Sequence, residues 1–293
     1  MTTLHSVGSG AAIGLEPPIL SSPSPAVAGR GELTVARTAR GHSVVRRAYA
    51  TSPLRLLMPN NHGRAAWVYT SSFGGGLVDG DHLVLDIEVG AGAAAFLSSQ
   101  ASTRVYRSAR GTSAEVHARI GPGGLLVIAP DPVVCFAAAR YGQVQHLDLA
   151  PGGSLVLVDW VSSGRHAAGE RWAFDEYRAR LCVRSRGALV VYDSIALGAE
   201  DGHLQHRLGR FNVLGTVLLL GAEVRDRAAE IVARVAQMPV ARRGDELVTA
   251  APVGDGCIMR FAGTSVEHAA VTLREYLGFV VSLLGDDPWA RKW

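Results

Sequence analysis

From Glu32 onward, apolar and polar positions alternate with a period of two. In "HLVLDIEV", Leu83, Leu85, Ile87 and Val89 alternate with His82, Val84, Asp86 and Glu88, so apolar groups fall on one face and mostly polar groups on the other. This predicts a half-buried strand. The chain then passes through "GAGA" at Gly90 into the more apolar "AAFL". The same unit recurs as "EVHARI" through "GPGG" at Gly121 into "LLVIA", "QVQHLDL" through "APGG" at Ala150 into "SLVLVDW", and "YRARLCVR" through "SRGA" at Ser185 into "LVVYD". The turns start about thirty residues apart, which is the signature of a structural repeat. Proline followed by glycine suits the centre of a type II turn, because proline fixes φ and glycine accepts the positive φ that follows. Each unit is expected to be a hairpin. Hairpins at near-constant spacing stack side by side, so the expected fold is mostly β, an elongated stacked-strand architecture, solenoid-like or a sandwich, in preference to a closed barrel.

Helical periodicity comes late. "RDRAAEIVARVAQM", Arg225 to Met238, predicts a helix stopped by Pro239. A second is expected over "TSVEHAAVTLREYLGFVVSLL", with Thr264 and Glu267 at capping-box spacing and Val266, Ala270, Leu273, Leu277, Val280 and Leu284 on one apolar face. Residues 1–28 lack this patterning. They are rich in Pro, Ser, Gly and Ala, so a disordered extension is expected there, followed by a single β-rich domain over 29–293. "GSGAAIG" within the extension has the wrong spacing for a dinucleotide loop and no strand before it.

Composition narrows the function. The net charge is +3 and no block of five basic residues occurs, which gives little electrostatic support for a nucleic-acid partner. Of the 29 basic residues only Lys292 is a lysine, so arginine in place of lysine carries little meaning here. Cys135, Cys182 and Cys257 are odd in number and far apart, without CxxC spacing, which implies neither a disulfide framework nor a zinc knuckle. No signal peptide and no run of 18 apolar residues is evident, so a cytoplasmic location away from membranes is expected.

The glycine-rich "SSFGGGLVDGD" could be a phosphate cradle, a metal loop or a turn. A strand follows it instead of a helix, and there is no GK[ST], which speaks against nucleotide binding. Asp79, Asp81 and Asp86 do not form the ladder of oxygens that a calcium loop needs. No GxSxG elbow is present, and the close pair His203 and His206 has no third ligand nearby in sequence. More informative are carboxylates where apolar strands should continue. Asp159 interrupts "SLVLVDWV", Asp193 follows "LVVY", and Glu170 sits in "GRHAAGERW". A buried carboxylate must be ion-paired, hydrogen-bonded, metal-liganded or protonated. Arg165 and Arg171 are the evident partners for structural ion pairs, and a polar passage through the interior is the alternative.

The stretch Gly75 to Ser108, "GGLVDGDHLVLDIEVGAGAAAFLSSQASTRVYRS", resembles the urease accessory protein UreD family, also called UreH. Its pattern runs roughly GG[IL]VGGD, strand, PGA, strand, TQAATKVYRS. Gly75, Gly76, Gly80, Asp81, Gln100, Ala101, Tyr106, Arg107 and Ser108 stand at the expected places. "PDPVVCF" with Phe136, "DWVSSGRHAAGERW" with Asp159, Gly164, Arg165, Gly169 and Glu170, "VYDSIAL" with Asp193 and "GTVLLL" from Gly215 follow in order, so the resemblance covers about Glu32 to the C-terminus. Asp79 replaces a usual glycine, Gly74 a common proline and Arg104 a lysine, and "DDPWARKW" only loosely follows the family ending. The resemblance implies a non-catalytic maturation factor that assembles with the helical protein UreF and the GTPase UreG on apo-urease and helps load nickel. It also implies a transient Ni²⁺ route through the interior past the matching acidic positions Asp81, Asp159, Glu170 and Asp193. From the residues alone, a β-solenoid carbohydrate-active enzyme using two strand-borne carboxylates is the competing expectation, and a pure interaction module with no metal route is a third.

Overall fold

The structure is a computed structural model that describes residues 28–60 and 62–291. The extension expected over 1–28 lies outside the described residues except for Ala28, which opens the first strand. The chain runs β1 (Ala28–Arg37), β2 (Ser43–Ala50), β3 (Leu54–Leu57), β4 (Ala66–Ser72), β5 (His82–Val89), β6 (Ala94–Ser99), β7 (Thr103–Val105), β8 (Thr112–Ile120), β9 (Leu125–Ile128) and β10 (Val133–Cys135). It continues with β11 (Arg140–Leu149), β12 (Ser154–Ser162), β13 (Glu176–Ser185), β14 (Ala188–Gly198), α1 (Leu204–Leu208) and β15 (Val213–Gly221). Last come α2 (Arg225–Ala236), β16 (Glu246–Val253), β17 (Gly256–Gly263), α3 (Val266–Leu277) and α4 (Val280–Leu284).

Three layers result. The outer sheet has the order β14-β13-β11-β8-β5-β1-β2, and the middle sheet runs β16-β17-β15-β12-β9-β6-β4-β3, with β7 and β10 beside β12. Helices α2, α3 and α4 cover the far side of the middle sheet, where Ile231, Leu273, Leu277 and Val280 pack on Phe96, Val156, Val158 and Trp160. Between the sheets lie two apolar clusters. One contains Leu85, Leu126, Leu147, Leu155 and Leu218, and the other Tyr141, Val161, Trp172, Phe174 and Tyr177. The mostly β, stacked architecture expected from the repeat is therefore the one observed, and neither sheet closes into a barrel.

The pairing inside the repeat differs from the expectation. Three of the four turns carry the chain from the outer sheet to the middle one, and each strand pairs in parallel with its counterpart in the next unit: β5 with β8, β8 with β11, β6 with β9 and β9 with β12. The reason is burial. The second strand of each unit is buried on both faces, as in "AAFLSS" and "LLVI", and only a middle layer covers both. The turn chemistry itself is as expected: Gly123 and Gly152 take positive φ, and the N–H of Gly124 and of Gly153 donates to the carbonyl of Gly121 and of Ala150 at 2.9 Å.

Only β13 and β14 form an antiparallel hairpin among the four units, and both strands are amphipathic members of the outer sheet. Its two-residue turn puts Arg186 at φ 52° and Gly187 at φ 81°. Arginine has no local hydrogen bond to stabilise that conformation, whereas asparagine does. Arg186→Asn is expected to raise stability by about 1 kcal/mol, measured as a higher denaturation midpoint at unchanged slope. A lowered midpoint would contradict the turn geometry.

The two long helices also lie where expected, with small differences. The N-cap of α3 is Ser265, whose Oγ accepts from the His268 N–H at 3.1 Å, one residue beyond the expected Thr264. The single helix expected to Leu284 breaks at Gly278 and Phe279 into α3 and α4, yet Ala270, Leu273, Leu277, Val280 and Leu284 are all buried on one side. Among the described residues no helix is long and apolar enough to cross a membrane.

Candidate functional site

Strand alternation selects which side chains enter the space between the sheets. On β12, Leu155, Leu157, Asp159 and Val161 point toward the outer sheet, while Val156, Val158 and Trp160 point toward the helices. Asp159 is thus a carboxylate in an otherwise apolar row. In register with it stand Thr216 on β15 and, beyond, Arg260 on β17. Opposite, on the outer sheet, β11 contributes Gln143 and Gln145 from the same inward row as Tyr141, Leu147 and Leu149, and β14 contributes Asp193. A polar belt lies between the two apolar clusters.

Its contacts are specific. Gln143 Nε2 donates to Asp159 Oδ2 at 2.7 Å, and Gln145 Nε2 reaches the same oxygen at 3.4 Å. Among the described residues Asp159 forms no ion pair. Burial pushes its carboxyl up to about 6; the Gln143 hydrogen bond opposes the rise and the charge of Asp193 adds to it. Asp193 meets Arg260, Oδ1 to Nη2 at 2.7 Å, with the aspartate side chain 15% exposed and the arginine 55%. The belt therefore reaches solvent at Arg260. Thr216 Oγ1 is buried without a hydrogen-bond partner among the described residues, so the belt holds unused polar capacity beside Asp159. Toward the strand ends the Tyr141 hydroxyl continues the polar line, donating to Gln143 Oε1 at 3.3 Å, and burial raises the pKa of both Tyr141 and Tyr177, so they remain phenols.

Asp81 and Glu170 stand apart from this belt, in loops that precede β5 and β13. Asp81 closes its own turn: its Oδ2 accepts from the Val78 N–H at 2.8 Å and its N–H donates to the Val78 carbonyl at 2.9 Å. The glycine-rich stretch is a turn in this sense. Gly80 adopts φ 89°, a left-handed conformation that favours glycine, whereas the Arg110 guanidinium 2.8 Å from a Cβ placed there is the mobile end of an exposed side chain and could move aside. Glu170 is held by Arg165 through both carboxylate oxygens and by the Ala137 N–H at 3.2 Å; the Arg165 hydrogen bond keeps its carboxyl below the usual range. The ion pair foreseen with Arg165 is present. Among the described residues Arg171 pairs with no carboxylate; it binds Asn212 and the carbonyls of Gly209 and Phe211. His203 and His206 lie with rings 5.5 Å apart, and among the described residues no three ligand side chains gather around one point.

The family model for the UreD urease accessory protein matches residues 28–293. The chain belongs to the UreD family of urease accessory proteins. It is 51% identical to the urease accessory protein UreD of Sorangium cellulosum over 267 residues, 91% of this chain and 85% of that one. It is 44% identical over 280 residues to the UreD of Anaeromyxobacter sp., covering 94% of each chain, and 31% identical to urease accessory protein D of rice, Oryza sativa subsp. indica, covering 90% and 96%. Membership supports a role in urease maturation. Asp79, expected from the resemblance to replace a glycine, is accommodated without strain. Its backbone is not in the left-handed region, and its carboxylate accepts from the Arg110 N–H at 2.7 Å and from Arg110 Nε at 3.0 Å.

Of the four acidic positions that match the UreD pattern, the fold brings together Asp159 and Asp193. Their neighbours Gln143, Gln145, Thr216 and Arg260 escaped the sequence reading. A signal for the glutamines existed, since polar side chains occupy the inward positions of "YGQVQHLDL" where leucines follow. Arg260 is 67 residues from its partner and had no such signal.

Proposed function

We propose that this chain is a non-catalytic scaffold of urease maturation, one domain over 29–293, which assembles with UreF and UreG on apo-urease and assists nickel insertion in the cytoplasm. We propose further that Asp159 and Asp193 line a transient Ni²⁺ route through its interior, with Asp81 and Glu170 at its loop end. Asp159 supports this reading most strongly. It is a carboxylate between two sheets that no cation among the described residues neutralises, beside a threonine hydroxyl with unused bonding capacity. Carboxylate, amide and hydroxyl oxygens hold Ni²⁺ more weakly than thiolates or clustered imidazoles, which suits passage over storage. A carbohydrate-cleaving enzyme would need its two carboxylates on an open cleft around a sugar; Asp159 lies between packed sheets, and Asp193 is tied to Arg260.

The chain leaves Phe73, Val78, Leu189, Tyr192 and Val240 exposed, and among the described residues no further strand pairs with the outer edges of β14 and β16. Such edges and apolar side chains favour self-association until a partner covers them. Expressed alone, the chain is expected to aggregate; coexpressed with UreF, UreG and the urease subunits, it is expected to elute with them from a tag on urease. A monodisperse chain that leaves urease behind in that experiment would overturn the proposal.

A further inference from the structure

Of the two open edges, that of β14 is interrupted, because its register against β13 shifts between Val183 and Arg184. β16 is regular along its whole pairing with β17. The two strands join through the two-residue turn Gly254–Asp255, which Val253 and Gly256 close. The closing pair of such a turn exchanges both backbone hydrogen bonds, and beyond it every second residue turns its N–H and C=O away from the partner strand. Pro252, Ala250, Val248 and Glu246 therefore present their backbone groups to the free edge. The Thr264 N–H donates to the Asp245 carbonyl at 2.9 Å, so the alternation holds to the far end of the hairpin.

This edge is limited at both ends. Pro252 has no N–H to offer. Gly244 is already engaged: its N–H donates to the Ala241 carbonyl at 3.2 Å, and its carbonyl accepts from Arg210 Nε at 3.0 Å. Between these limits lie Glu246, Val248 and Ala250, with Val248 at the midpoint. An antiparallel second copy of β16 centred there sets Val248 against itself and Glu246 against Ala250 of the copy. The same register sets Gly244 against Pro252 of the copy, so the positions that cannot pair meet each other. The edge is its own complement.

The side chains agree. Leu247, Thr249 and Ala251, on the face away from the helices, are exposed, and no charged residue occurs from Leu247 to Val253. Natural sheets guard an exposed edge with charge or proline; here only the Pro252 end is guarded. In the two-fold register Leu247 stands opposite Thr249 of the copy. The register also carries the exposed Arg242 and Arg243 of one chain to the turn of the other that holds the partly exposed Asp255, positive against negative.

We propose that β16 is a self-docking edge: two copies of this chain pair antiparallel through Glu246 to Ala250 about a two-fold axis at Val248, joining their middle sheets into one. The proposal does not rest on the urease reading.

The test is disulfide trapping in the full chain. Leu247→Cys and Thr249→Cys are coexpressed on separately tagged chains, and the whole lysate is oxidised mildly and run on a non-reducing gel. Opposed residues of an antiparallel pair lie about 5 Å apart and diagonal ones about 7–8 Å. The mixture is therefore expected to give a covalent dimer carrying both tags, and either variant alone to give little. Ala250→Pro removes a free-edge donor from each copy and leaves the ladder to β17 intact, as Pro252 does. It is expected to weaken self-association in the soluble fraction about 10- to 100-fold, read by sedimentation over a dilution series. Thr249→Lys, which puts a charge on the exposed face, is expected to weaken it as well. No mixed dimer, or one no more abundant than either variant alone yields, would overturn the proposal. A link from position 247 or 249 to a different protein would overturn it too, making β16 the dock of that partner, and so would self-association unchanged in both Ala250→Pro and Thr249→Lys. Should Ala250→Pro fail to fold, Thr249→Lys and the trapping decide.

Discussion

A chain carrying Asp159→Asn is expected to be more stable than its parent at pH 8, by up to about 3 kcal/mol, and equal to it near pH 4. Burial raises the Asp159 carboxyl from 3.8 to about 6, and every tenfold gain in proton affinity on folding corresponds to about 1.4 kcal/mol. Between the two values the folded parent holds a proton that the unfolded chain has released. Stability of the parent therefore falls as the pH rises from about 4 to about 6 and is flat above, as far as this group is concerned. An amide keeps the shape, still accepts from Gln143, and cannot ionise. Urea unfolding of both chains from pH 4 to pH 8 measures the difference. A parent that gains stability over that interval relative to the variant would mean that Asp159 is compensated in a way the belt does not provide.

Gly215→Val is expected to destabilise the fold by about 3 kcal/mol or more, at the upper end of what overpacking costs. Gly215 on β15 stands in register between Trp160 on β12 and Phe261 on β17, and the two rings close over it with centroids 6.2 Å apart. A Cβ at 215 would lie 2.2 Å from the Phe261 ring and 2.8 Å from Trp160 Cβ. Neither ring can yield freely. Trp160 is buried with its Nε1 donating to the Pro130 carbonyl at 2.8 Å, and Phe261 sits under the helices. The next residue, Thr216, belongs to the polar belt on the opposite face, so a strand displaced at Gly215 also disturbs Asp159. Denaturation of the Gly215→Val chain alongside Gly215→Ala, which should fall between variant and parent, checks this. A variant as stable as the parent would show that the rings reorganise.

Much of this was legible from the pattern of residues. The repeat, the turn glycines and the apolar faces of both long helices follow from period and propensity, because each is fixed by neighbours in sequence. Asp159 was conspicuous for the same reason: a carboxylate inside "SLVLVDWV" breaks a local rule. What escaped was decided through space. The turns at Gly90, Gly121 and Ala150 serve hairpins and sheet-to-sheet crossings equally well, and only the double-sided burial of "AAFLSS" and "LLVI" separates the two. The partner of Asp193 is Arg260, where sequence proximity pointed to Arg165 and Arg171. Glu170 does pair with Arg165, five residues away, within reach of a local reading.

The most direct test of the scaffold with an interior nickel route is the nickel content of urease matured with Asp159→Asn in place of the parent chain. Complex formation is followed by size exclusion, and nickel per active site by elemental analysis, on the same preparation. The expected result is a normally assembled complex that yields urease with substantially less nickel, since an amide accepts hydrogen bonds but carries no charge to draw the cation inward. Normal assembly with normal nickel loading, in Asp159→Asn and in its combination with Asp193→Asn, would contradict the interior route and leave the chain as a scaffold alone.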